Sequence, residues 1–113
     1  METPPKPAAG QVIALFKLRV RADVDGAELS RQSQHMTEIA TAIPGEGLLA
    51  AETWSSPDGA TLVVYRFSSM ASLESFIHHP DHQALMRRGR EFFETVEAQI
   101  TVIERARVAA FAR

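Results

Sequence analysis

Cysteine is absent from this chain, which removes thiolate nucleophiles, disulfides and sulfur-ligated zinc from consideration and is compatible with a reducing cytoplasm. Asparagine is missing as well. No stretch approaches the roughly 18 consecutive apolar residues of a membrane span, and the N-terminus lacks the apolar core of an export signal, so a cytoplasmic protein without a membrane partner is expected. An excess of one charge is lacking too. The 12 Lys and Arg stand against 14 Asp and Glu, a formal net charge of −2, and the arginines are scattered or only locally clustered, which argues against nucleic acid as a partner. What remains is ordinary globular material, 45% hydrophobic and 23% charged over 113 residues, enough for one core and not for two.

Prolines 4, 5 and 7 and the lack of apolar periodicity make residues 1–10 a mobile tail. Residues 11–106 read as one domain and 107–113 as a C-terminal extension. From Val12 to Arg21, Val12, Ala14, Phe16, Leu18 and Val20 share one strand face, opposite Ile13, Leu15, Lys17, Arg19 and Arg21. The second face is half apolar, which predicts that it too is covered, by another subunit if not by helices. Asp25 followed by Glu28 resembles a capping box and opens a helix to about Ala42, stopped by Pro44-Gly45. Leu29, Met36, Ala40 and Ile43 line its apolar stripe, with Ser33 inside it.

Two β-type runs follow, Gly47 to Ser55 and Thr61 to Ser68, joined by the turn residues Ser56-Pro57-Asp58-Gly59. Ser69 can cap a short helix with Leu73, Phe76 and Ile77, and Pro80 starts a renewed helix predicted to reach about Val96. Ala98 to Arg105 alternates as a fourth strand. The order βαββαβ predicts an α+β, ferredoxin-like fold: a four-stranded antiparallel sheet with both helices on one face. A second identical sheet is the simplest cover for the other face, giving a homodimer.

Among residues that could carry chemistry, His82 is the most informative, since helical periodicity sets it beside the stripe of Leu85, Gly89, Phe92 and Phe93. Such a ring can be a general acid or base, a ligand to a metal or haem, or a hydrogen-bonded core residue. Gly89 removes a side chain from the same stripe, leaving either space for a ligand or close helix packing. His78, His79, Asp81 and His82 contain metal-ligating types, but Pro80 breaks their register and no second ligand group appears, so no metal is expected. His79-Pro80-Asp81 is more easily a helix start. Trp54 and Tyr65 on the hairpin strands can stack on a planar substrate and bond its oxygen, or can serve packing alone. His35 borders the first helix stripe and either reaches a cavity or stays at the solvent edge.

The run Ser69 to Gly89, read as Ser-x-x-x-Leu-x-x-Phe-x-x-His-Pro-Asp-His-x-x-Leu-x-x-x-Gly, resembles the antibiotic biosynthesis monooxygenase family of dimeric α/β barrels. The resemblance extends over about Val12 to Arg105 and implies two ferredoxin-like protomers with their sheets face to face, each holding a pocket between sheet and helices. It implies oxidation of a small phenol, quinol or anthrone-like aromatic by molecular oxygen without metal or flavin, so no cofactor is expected. It places His82 at the family's pocket histidine and Phe76 where a Trp is frequent; taken with the residue reading above, His82 is expected to be the base or orienting donor, and Trp54, Tyr65, Phe76 and His35 to shape the substrate site. The haem-degrading members use an Asn on the first strand with a Trp and a His; this chain has neither that asparagine nor that tryptophan. Arg66 stands where many members carry an acidic residue, which admits anionic substrates. The alternative function is a non-catalytic small-molecule-binding or interaction domain on the same scaffold.

Overall fold

Hydrogen bonding on both sides of one nine-residue strand organises the molecule. The computed structural model describes residues 4–45 and 47–112. Its elements are β1 (Val12–Val20), α1 (Gly26–Thr41), β2 (Leu48–Ser55), β3 (Thr61–Phe67), α2 (Met70–Ile77), α3 (Pro80–Arg87), α4 (Gly89–Phe92) and β4 (Phe93–Val102). They build an antiparallel sheet in the order β2-β3-β1-β4, the expected ferredoxin-like arrangement. The first three residues of the predicted tail and the last residue of the C-terminal extension lie outside the described residues.

The even-numbered face of β1 receives the helices. Val12 and Ala14 join Tyr65 and Phe67 of β3 in one buried cluster with Met36, Ile39 and Ala40 of α1, Leu73 and Phe76 of α2, Leu85 of α3 and Phe92. Phe67, Phe76, Leu73 and Val12 are the largest fully buried side chains, and each contributes about 1.5–3 kcal/mol relative to an exposed position. Ile13, Leu15, Leu62 and Val64 occupy the opposite, helix-free face and are only half-buried there.

Local chemistry accounts for the ends of the elements. The Asp25 carboxylate accepts from the backbone of Ala27 and Glu28, both at 3.1 Å, but Glu28 turns outward to Arg31, Gln32 and Arg88, so only half of a capping box forms. Gly45 has φ +83° and Gly59 +88°, left-handed values that suit glycine; Gly59 lies in the turn where the Ser56 amide reaches the Ala60 carbonyl at 2.8 Å. Ser69 caps α2, and the Nδ1 atom of His79 caps α3 ahead of Pro80. His79-Pro80-Asp81 is thus a helix start.

One boundary differs from the sequence reading. The helical run predicted to reach about Val96 breaks at Arg88, adds a single turn and gives way to β4 at Phe93, five residues before the expected strand. The nine residues of β1 recruit a partner from Val20 back to Val12, and the ladder gained outweighs helix propensity through the β-branched Thr95 and Val96. Residues before β1 are also tied down: the Gln11 side-chain oxygen accepts from Ala8 and from Arg66, and Arg66 donates to the Pro5 carbonyl.

Two substitutions test this account by urea denaturation. Phe67→Ala leaves a cavity under the helices and lowers the unfolding free energy by about 3–5 kcal/mol, whereas Asp25→Ala removes one cap and costs about 1 kcal/mol, with Asp25→Ser close to wild type.

Candidate functional site

Between the sheet and the helices lies a cavity of about 460 Å³. Its floor is the continuation of the core face, Phe16, Leu18 and Val20 of β1 with Val63 and Tyr65 of β3, and α1 supplies a wall through Leu29, Met36 and Thr37. Among the described residues no Asp, Glu, Lys or Arg lines it. The polar groups facing this space, such as those of Gln32, Ser33, Thr37 and Tyr65, are therefore neutral, which selects uncharged ligands because an unpaired charge in a largely apolar cavity is strongly disfavoured.

His82, Tyr65 and Phe76 meet here. His82 is the third residue of α3; Pro80 fixes the start of that helix, and His82 and Leu85, three apart, both turn inward. The His82 ring is 7% exposed and stands edge-on to Phe76 with 4.6 Å between centroids. Its Nδ1 atom is shut off from solvent and has no hydrogen-bond partner among the described residues. Burial lowers the pKa of the imidazole, with repulsion from His79 in the same direction and the Ile77 carbonyl opposing, so the ring is neutral at pH 7. A buried nitrogen without a partner costs about 1–3 kcal/mol.

Tyr65 carries the second polar group. Its hydroxyl lies 3.0 Å from Oγ1 of Thr37, and its ring contacts Phe16, Phe67 and Phe76 edge-on or nearly so. Thr37 escaped the sequence reading; its signal was a polar residue one position from Met36 on an otherwise apolar stripe, as Ser33 is one turn earlier.

Other expected site residues fall elsewhere. Trp54 projects from the helix-free face, because the alternation of β2 turns Ala51 and Thr53 to the cavity; it is 58% exposed, its Nε1 donating to Glu52 at 3.0 Å. His35 is one residue, hence about 100° around the helix, from Met36 and lies in a separate pocket with Glu38, His79 and Asp81. Its Nε2 is 2.9 Å from the Asp81 carboxylate. Trp54 and His35 thus do not line the cavity. Arg66 faces away as well, so it does not set the cavity's polarity. A Cβ at Gly89 would meet nothing within 4 Å and the residue does not line the cavity, so neither ligand space nor close packing explains it. Among the described residues no group of three or more His, Asp or Glu is placed to hold a metal ion, and no helix is long and apolar enough to cross a membrane.

Two side-chain contacts join α1 to α3 and its C-cap residue Arg88. One is His35 with Asp81. In the other, Glu28 accepts from Arg88 at 3.3 Å while Arg88 also pairs with Glu91 at 3.0 Å and covers the Phe92 ring. Hydrogen bonds from Gln32, then Arg31, hold the Glu28 carboxyl at a pKa of about 2. Because Gln32 lines the cavity, this network reaches its wall.

No family model matches the sequence, and no curated protein is significantly similar to it. Solved structures do share its fold. Rv0793 from Mycobacterium tuberculosis is 18% identical with a TM-score of 0.66, over 88% of this chain and 99% of that one. SnoaB, a cofactor-independent oxygenase from Streptomyces nogalater, is 12% identical with a TM-score of 0.68, over 87% and 97%. A dimeric ferredoxin-like protein of unknown function from Thermobifida fusca is 17% identical with a TM-score of 0.64, over 90% and 100%. At such identities the likeness is one of fold.

The depressed pKa of His82 has a measurable consequence. Its ring resonances are expected to titrate with a midpoint below the ordinary value of about 6.5. Unfolding then takes up a proton, so stability contributed by the neutral ring is lost as pH falls from about 7 toward the folded midpoint. His82→Leu should flatten that part of the urea-midpoint profile; a midpoint at or above the ordinary value contradicts the burial argument.

Proposed function

We propose that this chain is a cofactor-independent monooxygenase acting on a small, uncharged, electron-rich aromatic. The observation that carries the reading is the neutral, largely buried His82 among the residues that line an uncharged cavity large enough for such a molecule. The shared fold with SnoaB supports it.

In this reading His82 takes the proton of a phenol or of an activated ring CH₂, and the Tyr65 hydroxyl, oriented by Thr37, bonds a ring oxygen. Phe76 packs on the ring. The resulting anion gives electrons to molecular oxygen. For a CH₂ oxidised to a carbonyl, both C–H bonds break, one oxygen atom enters the product, and the other leaves as water with the two hydrogens. The balance closes with the substrate as sole reductant. Trp54 and His35 have no role in this scheme.

The same reading includes a homodimer formed through the helix-free sheet face, where Ile13, Leu15, Leu62 and Val64 are incompletely covered. The Thermobifida fusca protein of this fold is described as dimeric.

Oxygen uptake over a panel of quinols, anthrones and catechols tests the activity. Uptake above autoxidation is expected for at least one compound, indifferent to a chelator and reduced about 10²-fold or more in His82→Ala. Tyr65→Phe should raise KM more than it lowers kcat. Uptake that ignores His82 removes the proposed base, and none with any compound favours a small-molecule-binding domain instead. Sedimentation equilibrium is expected to return twice the chain mass.

A further inference from the structure

Apolar side chains accumulate where nothing in the single chain buries them. Every residue from Glu104 to Ala112 is exposed, and Phe111 reaches 89%, although six of the seven residues 106–112 are apolar. β4 is meanwhile an edge strand, with one backbone row unpaired. On its helix-facing side Val96, Ile100 and Val102 are about half exposed, and Val96 also belongs to the cavity wall. A long apolar edge is a pairing site that proteins normally cover.

We propose that the segment Arg105–Ala112 of a second copy of this chain pairs with the free edge of β4 and closes that side of the cavity. The inference rests on the homodimer reading above. Length permits it: eight extended residues span about 26 Å against about 20 Å from Val96 to Val102. Side-chain period agrees. In an extended arm Ala106, Val108, Ala110 and Ala112 share a wholly apolar face, which continues the strip of Val96, Ile100 and Val102. Arg105, Arg107 and Phe111 then fall on the other side, that of the helix-free face, where Glu97 projects from β4 at the position facing Lys17. Backbone pairing supplies affinity, while the apolar face and the Arg–Glu match set orientation. The chain's own arm is poorly placed for the same edge: Ile103 is still bonded to Gln11 and Gly10 at 2.8 and 2.9 Å beyond the end of the strand.

The lack of native cysteine makes the test direct. A copy with Val108→Cys is mixed under mild oxidation with a longer, tagged copy carrying Val96→Cys, Ile100→Cys or Val102→Cys; Glu74→Cys, exposed on α2, reports random collision. A disulfide-linked band of mixed mass is expected for at least one strip position, at least tenfold above the control, together with a dimeric mass for the unmodified chain. A dimer without preferential linkage overturns the arm and leaves the dimer standing. A monomeric mass overturns the homodimer reading itself. A chain carrying Val108→Cys and a strip cysteine that closes a disulfide only on itself assigns the edge to its own arm and also overturns the proposal.

Discussion

The pairing of β1 with β3 on one side and β4 on the other decides nearly everything else. Because side chains alternate strictly along a strand, each register commits a whole row to one face, and a slip of one residue would turn that row over. Val12 opposite Phe67 and Val102, and Phe16 opposite Val63 and Ala98, place the apolar rows of three strands under the helices together. At the Val12 end those rows are packed solid by α1 and α2. Toward Val20 the same rows continue and line the cavity. The site is an extension of the core that side chains leave unfilled.

That origin explains the chemistry of the site. A cavity inherited from a core is lined as a core is, by aliphatic and aromatic groups, and tolerates few polar atoms. Those it holds are neutral: the Tyr65 and Thr37 hydroxyls satisfy each other, and His82 has shed its charge. Desolvation that lowers the histidine's basicity also keeps it in the form that accepts a proton. Glu28, Arg88, His35 and Asp81 do not line the cavity, and their contacts fasten α1 to α3 and its C-cap at modest energy.

How much of this was legible in the sequence follows from which signals are local. Element order, the Ser56–Gly59 turn, the Asp25 and Ser69 caps and the His79-Pro80 start depend on neighbours within a few residues, and all could be read. His82 was legible as a residue facing the helix-sheet interior, because helical periodicity gives facing directly, whereas Tyr65 was singled out by residue type. The start of β4 was not, since the competition between helix and strand there is decided by a distant partner, β1. Trp54 was set beside the site by residue type and Arg66 by the family resemblance, yet strand parity, fixed by the register of the hairpin, turns both to the opposite face. Thr37 was hidden for the converse reason: a threonine in a helix stripe is unremarkable until the tyrosine it bonds is known.

The opposite placement of two aromatic residues makes the protein self-reporting. The chain has a single tryptophan and a single tyrosine; Trp54 looks out from the helix-free face, and Tyr65 forms part of the cavity floor. Each face of the sheet therefore carries its own chromophore. Association across the open face registers first in indole emission, and occupation of the interior first in the phenol band, so the two events are optically separable without any label.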